Sequence, residues 1–356
     1  MKLDLEMSAQ LSGTKKRHST PGEAGAPLVQ LRAVYKAFPL QQRLLGPSRH
    51  WVYAVNGVDL QLTPGRTVGL VGESGSGKST VGKLICRLEL PDSGQVLYDG
   101  QDVTRFRGAA LRAYHRQVQM VFQNPYAALN PRKRVDSMLR EVLKVHRLAG
   151  CSQMEERLVQ LLEQVGLPAE SRHRFPFEFS GGQRQRLCIA RALAVEPRVL
   201  VCDEPVSALD VSIQAQILHL LKTIQQKNQL AMLFISHDLS VVYHMCDEVL
   251  IMYLGKIVER GEAERIFSQP LHPYTRALLS AIPVAEPGRK RERIVLHGEI
   301  PSATRRPPGC PFYSRCPQRL PHCQTEFPPA HSPQTGHTVW CWLYREGHQP
   351  IRMDQS

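Results

Sequence analysis

The 356-residue sequence contains no apolar run approaching the roughly 18 residues that a bilayer-spanning helix needs. Its opening stretch, MKLDLEMSAQLSGTKKRHST, has no apolar block of the secretory kind. The first absence argues against an integral membrane protein, and the second predicts a cytoplasmic one. Acidic residues are also in deficit, 32 Asp and Glu against 45 Lys and Arg, a net charge of +13 that points to an anionic partner: nucleic acid, a membrane surface or a nucleotide. Nine cysteines are present, yet none form the C-x2-C knuckle usual for structural zinc. In a reducing compartment such thiols are packed, catalytic or metal-bound rather than disulfide-paired. Cys86, Cys151, Cys188, Cys202 and Cys246 are scattered, mostly among apolar neighbours, and read as core or boundary residues.

The length exceeds what one core usually serves, so one large domain with an appendage, or two domains, is expected. Residues 1–27 are polar and aperiodic, the composition of a mobile tail. LVQLRAVYKAF, from Leu28, alternates as a strand does; PLQQRLLGPSRHW reads as a loop, and VYAVNGVDLQLTPG as further strand closed by a turn. The apolar runs TVGLV, RVLVC and LAMLFIS, separated by helical patterns, predict an α/β fold with a mostly parallel sheet. Residues from about 124 to 194 are mainly helical and read as an insertion into a domain spanning 28–266. From 267 to 356 the composition turns to Pro, Arg, His and Cys, predicting a separate, loop-rich appendage too poor in apolar residues to hold itself together.

Residues 72–80, GESGSGKST, fit G-x4-G-K-[ST] between an apolar strand and a helical pattern. Gly72, Gly75 and Gly77, with Glu73, Ser74 and Ser76, would form a loop whose backbone N–H groups face phosphate oxygens. Lys78 would reach the β- and γ-phosphates, and the hydroxyl of Ser79, ahead of Thr80, would coordinate Mg²⁺. VLVCDEP ends an apolar strand on two acids; Asp203 suits the magnesium shell and Glu204 a base that polarises water. Either pattern alone has a bland reading, a Gly/Ser turn or a pair of solvated acids. Together, about 125 residues apart, they favour nucleotide binding.

FSGGQRQR, beginning at Phe179, resembles the LSGGQ signature of ATP-binding cassette ATPases, with Phe in place of Leu. Gln123 in MVFQNP, residues 207–210 (SALD) and His237 in FISHD resemble that family's Q-loop, D-loop and switch histidine, in the family's order. The resemblance implies a P-loop ATPase core, with an antiparallel β subdomain and a helical subdomain, that pairs head to tail with a second cassette. ATP and Mg²⁺ held by residues 72–80, Gln123 and Asp203 of one cassette would be covered by the other's signature, here Ser180, Gly181, Gly182 and Gln183. It further implies Glu204 as catalytic base, His237 steadying the γ-phosphate, Gln123 sensing magnesium and water, and an aromatic stacked on adenine, Phe38 first and Tyr53 second.

LHPYTRALLSAIP, from Leu271, and QNPYAALNPR, from Gln123, resemble the ATPases that drive dipeptide, oligopeptide and nickel importers. That implies a heterodimer of related ATPases on the cytoplasmic face of the membrane, two transmembrane permease subunits and an extracytoplasmic binding protein. No nucleic acid is expected, because non-transport cassettes usually carry a second cassette, a coiled coil or a zinc insertion that this chain lacks. The basic charge then reflects anionic lipid nearby. Cys310, Cys316, Cys323 and Cys341, spaced C-x5-C-x6-C-x17-C, suit a metal staple, since ligation would supply folding energy that the segment's few apolar residues cannot. Zinc and an iron–sulfur cube both accept four thiolates, and the resemblance favours [4Fe–4S]. Arg305, Arg306, Arg315 and Arg319 would offset the site's negative charge, and His272 and His322 are set aside as packing or capping residues.

Overall fold

A computed structural model describes residues 25–40, 50–148, 150, 152–282, 294–304 and 306–345. Cys151, Arg305 and nearly all of the expected tail lie outside the described residues.

The chain builds two sheets. In the larger, β3 (Thr67–Val71), β6 (Val118–Val121), β7 (Val199–Asp203), β8 (Ala231–Ser236) and β9 (Glu248–Tyr253) run parallel in the order β9-β3-β8-β7-β6. Every residue of β3, β7 and β8 is buried, as continuous apolar runs require of a sheet covered on both faces. Strand alternation divides their side chains between two apolar layers. Leu200, Cys202, Met232 and Phe234 face one, while Val199, Val201, Leu233 and Ile235 face the other. The second layer is closed by an antiparallel sheet, β1 (Val29–Pro39), β2 (Trp51–Leu62), β4 (Ser93–Tyr98) and β5 (Gln101–Asp102), in the order β2-β1-β4-β5. This is the expected α/β cassette architecture with its antiparallel β portion.

Between β6 and β7 the chain is helical, including Val135–Val145, Met154–Gln164 and Gly181–Leu193. Val135, Met138, Leu139 and Leu143 are buried on the first of these, and Met154, Leu158, Leu161 and Leu162 on the second. That is one stripe per helix at the three-to-four spacing that a helix presents to a core.

The C-terminal region is not separate from this body. β10 (Lys256–Glu262) pairs antiparallel with β9 on one side and with β12 (His337–Val339) on the other, and β11 (His331–Gln334) completes the edge. Glu259, fully buried on β10, accepts hydrogen bonds from the backbone N–H groups of Leu271 (2.7 Å) and His272 (2.9 Å) and pairs with His337 Nε2 at 2.8 Å. His272 in turn caps the helix Pro273–Ser280, its Nδ1 accepting from Tyr274 N at 3.1 Å. Phe312 and Tyr274 are fully buried against Tyr253 of β9, with ring centroids 5.3 and 4.7 Å from it. An apolar-poor segment is thus held by a buried carboxylate and an aromatic cluster anchored on the main sheet.

Candidate nucleotide site

Four strands deliver their next residues to one edge of the parallel sheet, the carboxyl edge at which open α/β sheets place ligands. β3 leads into the phosphate loop, β6 into Gln123, β7 into Glu204 and β8 into His237. Glycine is required in the loop for two different reasons. A methyl group at Gly72 would overlap the Met252 carbonyl oxygen, while Gly77 combines φ +105° with a backbone packed against the Ala54 carbonyl of β2. Gly77 also caps the helix Lys78–Ile85, so the loop ends at a helix start.

Lys78 is 5% exposed, and its Nζ donates to the carbonyl oxygens of Gly72 (2.8 Å) and Glu73 (2.9 Å). Burial pulls its ammonium below the usual lysine range, opposed by the charges of Glu204, Asp203 and Glu73. The Ser79 hydroxyl donates to Asp203 Oδ1 at 2.9 Å. Asp203 is 6% exposed; burial pushes its carboxyl up, the Ser79 hydrogen bond works against that, and neighbouring Glu204 adds to the rise. A buried carboxylate beside a hydroxyl, one strand end from a phosphate loop, is a hard-oxygen donor set of the kind magnesium takes.

Glu204 follows β7 in a left-handed conformation, φ 45°, with its N–H donating to Ile235 O at 2.9 Å. That turn aims its carboxylate between two partners: Gln123 Nε2 donates to one oxygen at 2.8 Å, and His237 Nδ1 lies 3.2 Å from the other. Gln123 also reaches the Ser207 hydroxyl at 3.5 Å, linking the Q-loop and D-loop positions. Lys78, Ser79, Gln123, Asp203, Glu204 and His237 therefore share one site.

The signature residues stand apart from it: among the described residues no hydrogen bond joins Ser180, Gly181, Gly182 or Gln183 to this cluster. They instead make a capping box, Gln183 N donating to Ser180 Oγ (3.4 Å) and Ser180 N to Gln183 Oε1 (3.0 Å), at the start of the helix Gly181–Leu193. Gly182 is packed so closely on Ile213 that a methyl there would overlap it. Phe179, 3% exposed, is a packing residue, which accounts for the tolerance of Phe at that position.

Phe38 and Tyr53 occupy adjoining strands, Phe38 opposite Val52 and Tyr53 opposite Ala37. Lys36 Nζ lies 5.2 Å from the Phe38 ring centre, and Arg306 from the C-terminal region lies over Tyr35 and Tyr53 at 4.8 and 5.6 Å. Tyr53 N also donates to Ala303 O at 2.9 Å, so the C-terminal region touches the edge of this face.

Sequence reasoning missed a set of contacts on the loop itself. Arg315 Nη1 and Nη2 donate to the two carboxylate oxygens of Glu73 at 2.7 and 3.2 Å, and Tyr274 Oη accepts from Glu73 N at 2.9 Å. No local pattern signals a pairing between residues 242 positions apart.

The four C-terminal cysteines occupy one neighbourhood. Cys310 N donates to Cys323 O at 2.8 Å, and the thiols act on one another's ionisation. Burial pushes Cys310 and Cys341 up to about 12 and Cys316 to about 11, with neighbouring thiols adding to the rise. Among the described residues, however, no three His, Cys, Asp or Glu side chains are arranged to hold a metal ion. The expected metal site is thus present as a collection of thiols and not as a closed ligand shell. His272 and His322 serve elsewhere, His272 as a helix cap and His322 packed edge-on against Trp342 at 4.8 Å. No helix among the described residues is long and apolar enough to cross a membrane.

Residues 55–207 match the family model of ABC transporters, and residues 258–323 match that of the oligopeptide/dipeptide transporter C-terminal region. The chain is 45% identical over 326 residues to the dipeptide transport ATP-binding protein DppF of Escherichia coli strain K12, covering 92% of this chain and 97% of that one. It is 47% identical over 320 residues to the oligopeptide transport ATP-binding protein AppF of Bacillus subtilis strain 168, covering 89% and 97%. Among solved structures, a bacterial ABC transporter cassette determined as a dimer superposes with a TM-score of 0.58 at 25% identity, over 66% of this chain and 98% of that one. With the phosphate loop, the two strand-end acids, the Q-loop glutamine and the histidine gathered on one sheet edge, and with relatives matched over nearly their whole length, this chain belongs to the ABC transporter family and is one of its ATPases.

Proposed function

We propose that this ATPase powers uptake of dipeptides or oligopeptides, working as half of a heterodimer of related cassettes on the cytoplasmic side of two membrane-spanning permease subunits, with an external peptide-binding protein supplying the solute. One observation carries the substrate class: similarity to the two transport proteins runs through both the cassette and the C-terminal region at 258–323. The helical block supports a membrane partner. There a cleft of about 640 Å³ is lined by Tyr126, Leu129, Met138, Val142 and Val145 among others, and Tyr126 and Val145 are both 67% exposed. Exposed apolar side chains around a groove suit a short amphipathic helix.

In this reading the loop at 72–80 and Lys78 hold the triphosphate, and Ser79 and Asp203 hold magnesium. Bound there, magnesium would neutralise phosphate charge. Glu204, oriented by Gln123 and His237, takes the proton of the attacking water. Ser180, Gly181, Gly182 and Gln183 cover the nucleotide of the partner cassette. Their own nucleotide is bound elsewhere, which accounts for their lack of contact with the local cluster. Phe38 is the first choice for stacking on adenine and Tyr53 the second; each ring already carries a cation, Lys36 at 5.2 Å and Arg306 at 5.6 Å. Glu204→Gln keeps the shape of the side chain and removes the base. It is expected to retain ATP binding while turnover falls about 10²- to 10⁴-fold; undiminished hydrolysis would remove Glu204 from the chemistry.

Cys310, Cys316, Cys323 and Cys341 are the residues that would hold a [4Fe–4S] cluster, with zinc the alternative. Four thiols in one neighbourhood, in a segment with little apolar content, support this reading. Ligation would draw them into a closer shell and supply folding energy. Anaerobic preparations should contain iron and acid-labile sulfide in equal amounts; a colourless preparation containing zinc reverses the assignment. Isolation of the intact membrane complex tests the assembly. Recovery of a second cassette, two permeases and peptide-stimulated ATPase activity is expected, whereas stimulation by nickel or glutathione alone would overturn the substrate class.

A further inference from the structure

Glu73 is the one acidic residue in the loop at 72–80, the segment read as the cradle of the triphosphate. Its charge acts on Lys78, whose Nζ donates to the Glu73 carbonyl oxygen at 2.9 Å and which is one of the groups read as holding phosphate. An uncompensated anion there opposes nucleotide binding by simple repulsion, and in a partly desolvated site that repulsion is weakly screened.

The fold supplies the compensation from far along the chain. Arg315 lies in a single 3-10 turn, Tyr313–Arg315, between Cys310 and Cys316. Its guanidinium meets both oxygens of Glu73 in a fork, at 2.7 and 3.2 Å, and also donates to Tyr253 Oη at 3.3 Å. The Arg315 side chain is 9% exposed and that of Glu73 is 23% exposed, so this is not a solvated surface pair. Tyr274, from the helix that His272 caps, accepts the backbone N–H of Glu73 at 2.9 Å. The rings of Tyr253, Tyr274 and Phe312 pack together behind these contacts. The C-terminal region thus holds the second residue of the phosphate loop by both its side chain and its backbone.

We propose that Arg315 is a positioning residue for the ATPase, neutralising and fixing Glu73 so that the phosphate loop stays open to ATP, and that folding of the cysteine-bearing region is thereby coupled to nucleotide affinity. The inference rests on the nucleotide reading of this site and adds to it a wall of the pocket contributed by the C-terminal region. A planar fork matched to a carboxylate is specific to arginine; a lysine supplies the charge without the second hydrogen bond.

Titration with a fluorescent ATP analogue, using the full-length chain, tests this. Arg315→Ala should raise Kd for the analogue by roughly tenfold, with KM for ATP rising in parallel and kcat unchanged, because it leaves a partly buried carboxylate unpaired beside the phosphates. Glu73→Gln should bind at least as tightly as wild type. The double variant Arg315→Ala with Glu73→Gln should recover most of the lost affinity, which no merely structural role for Arg315 would produce. Arg315→Lys should lose less affinity than Arg315→Ala. Unchanged affinity in Arg315→Ala, or equal loss in the single and double variants, overturns the proposal. If Arg315→Ala does not fold, Arg315→Lys and Glu73→Gln carry the test: weaker binding by Glu73→Gln than by wild type overturns it. Wild-type protein that fails to bind the analogue refutes the nucleotide reading itself, a result distinct from all of these.

Discussion

Replacing Gly77 by alanine probes the phosphate loop where two costs coincide, and Gly75 provides the control in which only one applies. Gly75 has φ +78° and open space where a side chain would go. Alanine there pays the left-handed penalty alone, about 1–2 kcal/mol, which is a loss of roughly five- to thirtyfold at most if all of it falls on the competent loop. Gly77 has φ +105°, and a methyl group would overlap the Ala54 carbonyl oxygen and stand 2.9 Å from Met252 Cε. The Ala54 oxygen is a main-chain atom at a bulge of β2, flanked by Tyr53 and Val55, which pair with Ala37 and Lys36 of β1, so it cannot swing aside as the end of a flexible side chain could. The loop must withdraw by about 1 Å to restore contact distance, and misplacement on that scale costs about 10²-fold in a positioned site. Adding the backbone strain, Gly77→Ala should weaken ATP at least tenfold more than Gly75→Ala does. Nucleotide titration beside a thermal melt separates lost binding from lost fold. Equal affinities in the two variants, with both folded, would refute the steric argument and leave backbone strain as the sole role of these glycines.

Two further outcomes follow from the packing and the charges. Gly182→Ala should push the helix Gly181–Leu193 off Ile213 and destabilise the chain by about 1–3 kcal/mol in urea, while ATP affinity of the lone chain stays unchanged because in the proposed assembly the signature serves the partner's nucleotide; a loss of affinity without loss of stability contradicts that division. His272, fully buried as a helix cap, is held down to about 4, first by burial, so the unfolded chain takes up a proton near pH 6.5 that the folded chain refuses. Its stabilising contribution is complete above pH 6.5 and falls away between pH 6.5 and about 4, by on the order of 3 kcal/mol. His272→Asn, which can still cap, should therefore flatten the acid limb of a urea-midpoint profile, and parallel profiles would exclude His272 as the cause.

The gathering of Lys78, Ser79, Gln123, Asp203, Glu204 and His237 on one sheet edge was legible in the sequence because each of these residues is marked by its immediate surroundings. TVGLV before the glycine loop, VLVC before Asp203 and AMLFI before His237 are apolar runs that can only be buried strands, and a functional group placed just past such a strand is delivered to the carboxyl edge of the sheet. Strand geometry brings the residues together, so no long-range information is needed beyond parallel order. The helices were legible for the same reason, as stripes of Leu and Met at helical spacing.

The C-terminal region followed no such rule. β12 has three residues, too few for alternation to register, and it joins the sheet through β10. Glu259 sits in KIVERGE, a strand whose charged residues do not alternate cleanly with its apolar ones, so its sequence does not say which face Glu259 takes; it is fully buried because His337 and two backbone N–H groups from distant segments satisfy it. Arg315 reads as a counter-charge for thiolates, yet its guanidinium is engaged by the phosphate loop. In each case a charged side chain is placed by a partner remote in sequence, and pattern alone cannot distinguish a solvated charge from a buried one with its partner supplied. The physical consequence reaches the loop at 72–80, which is braced by Tyr274 ahead of the cysteine cluster and by Arg315 within it. In the proposed coupling, anything that loosens the cluster acts on ATP through Glu73, without substitution of any residue assigned to the nucleotide.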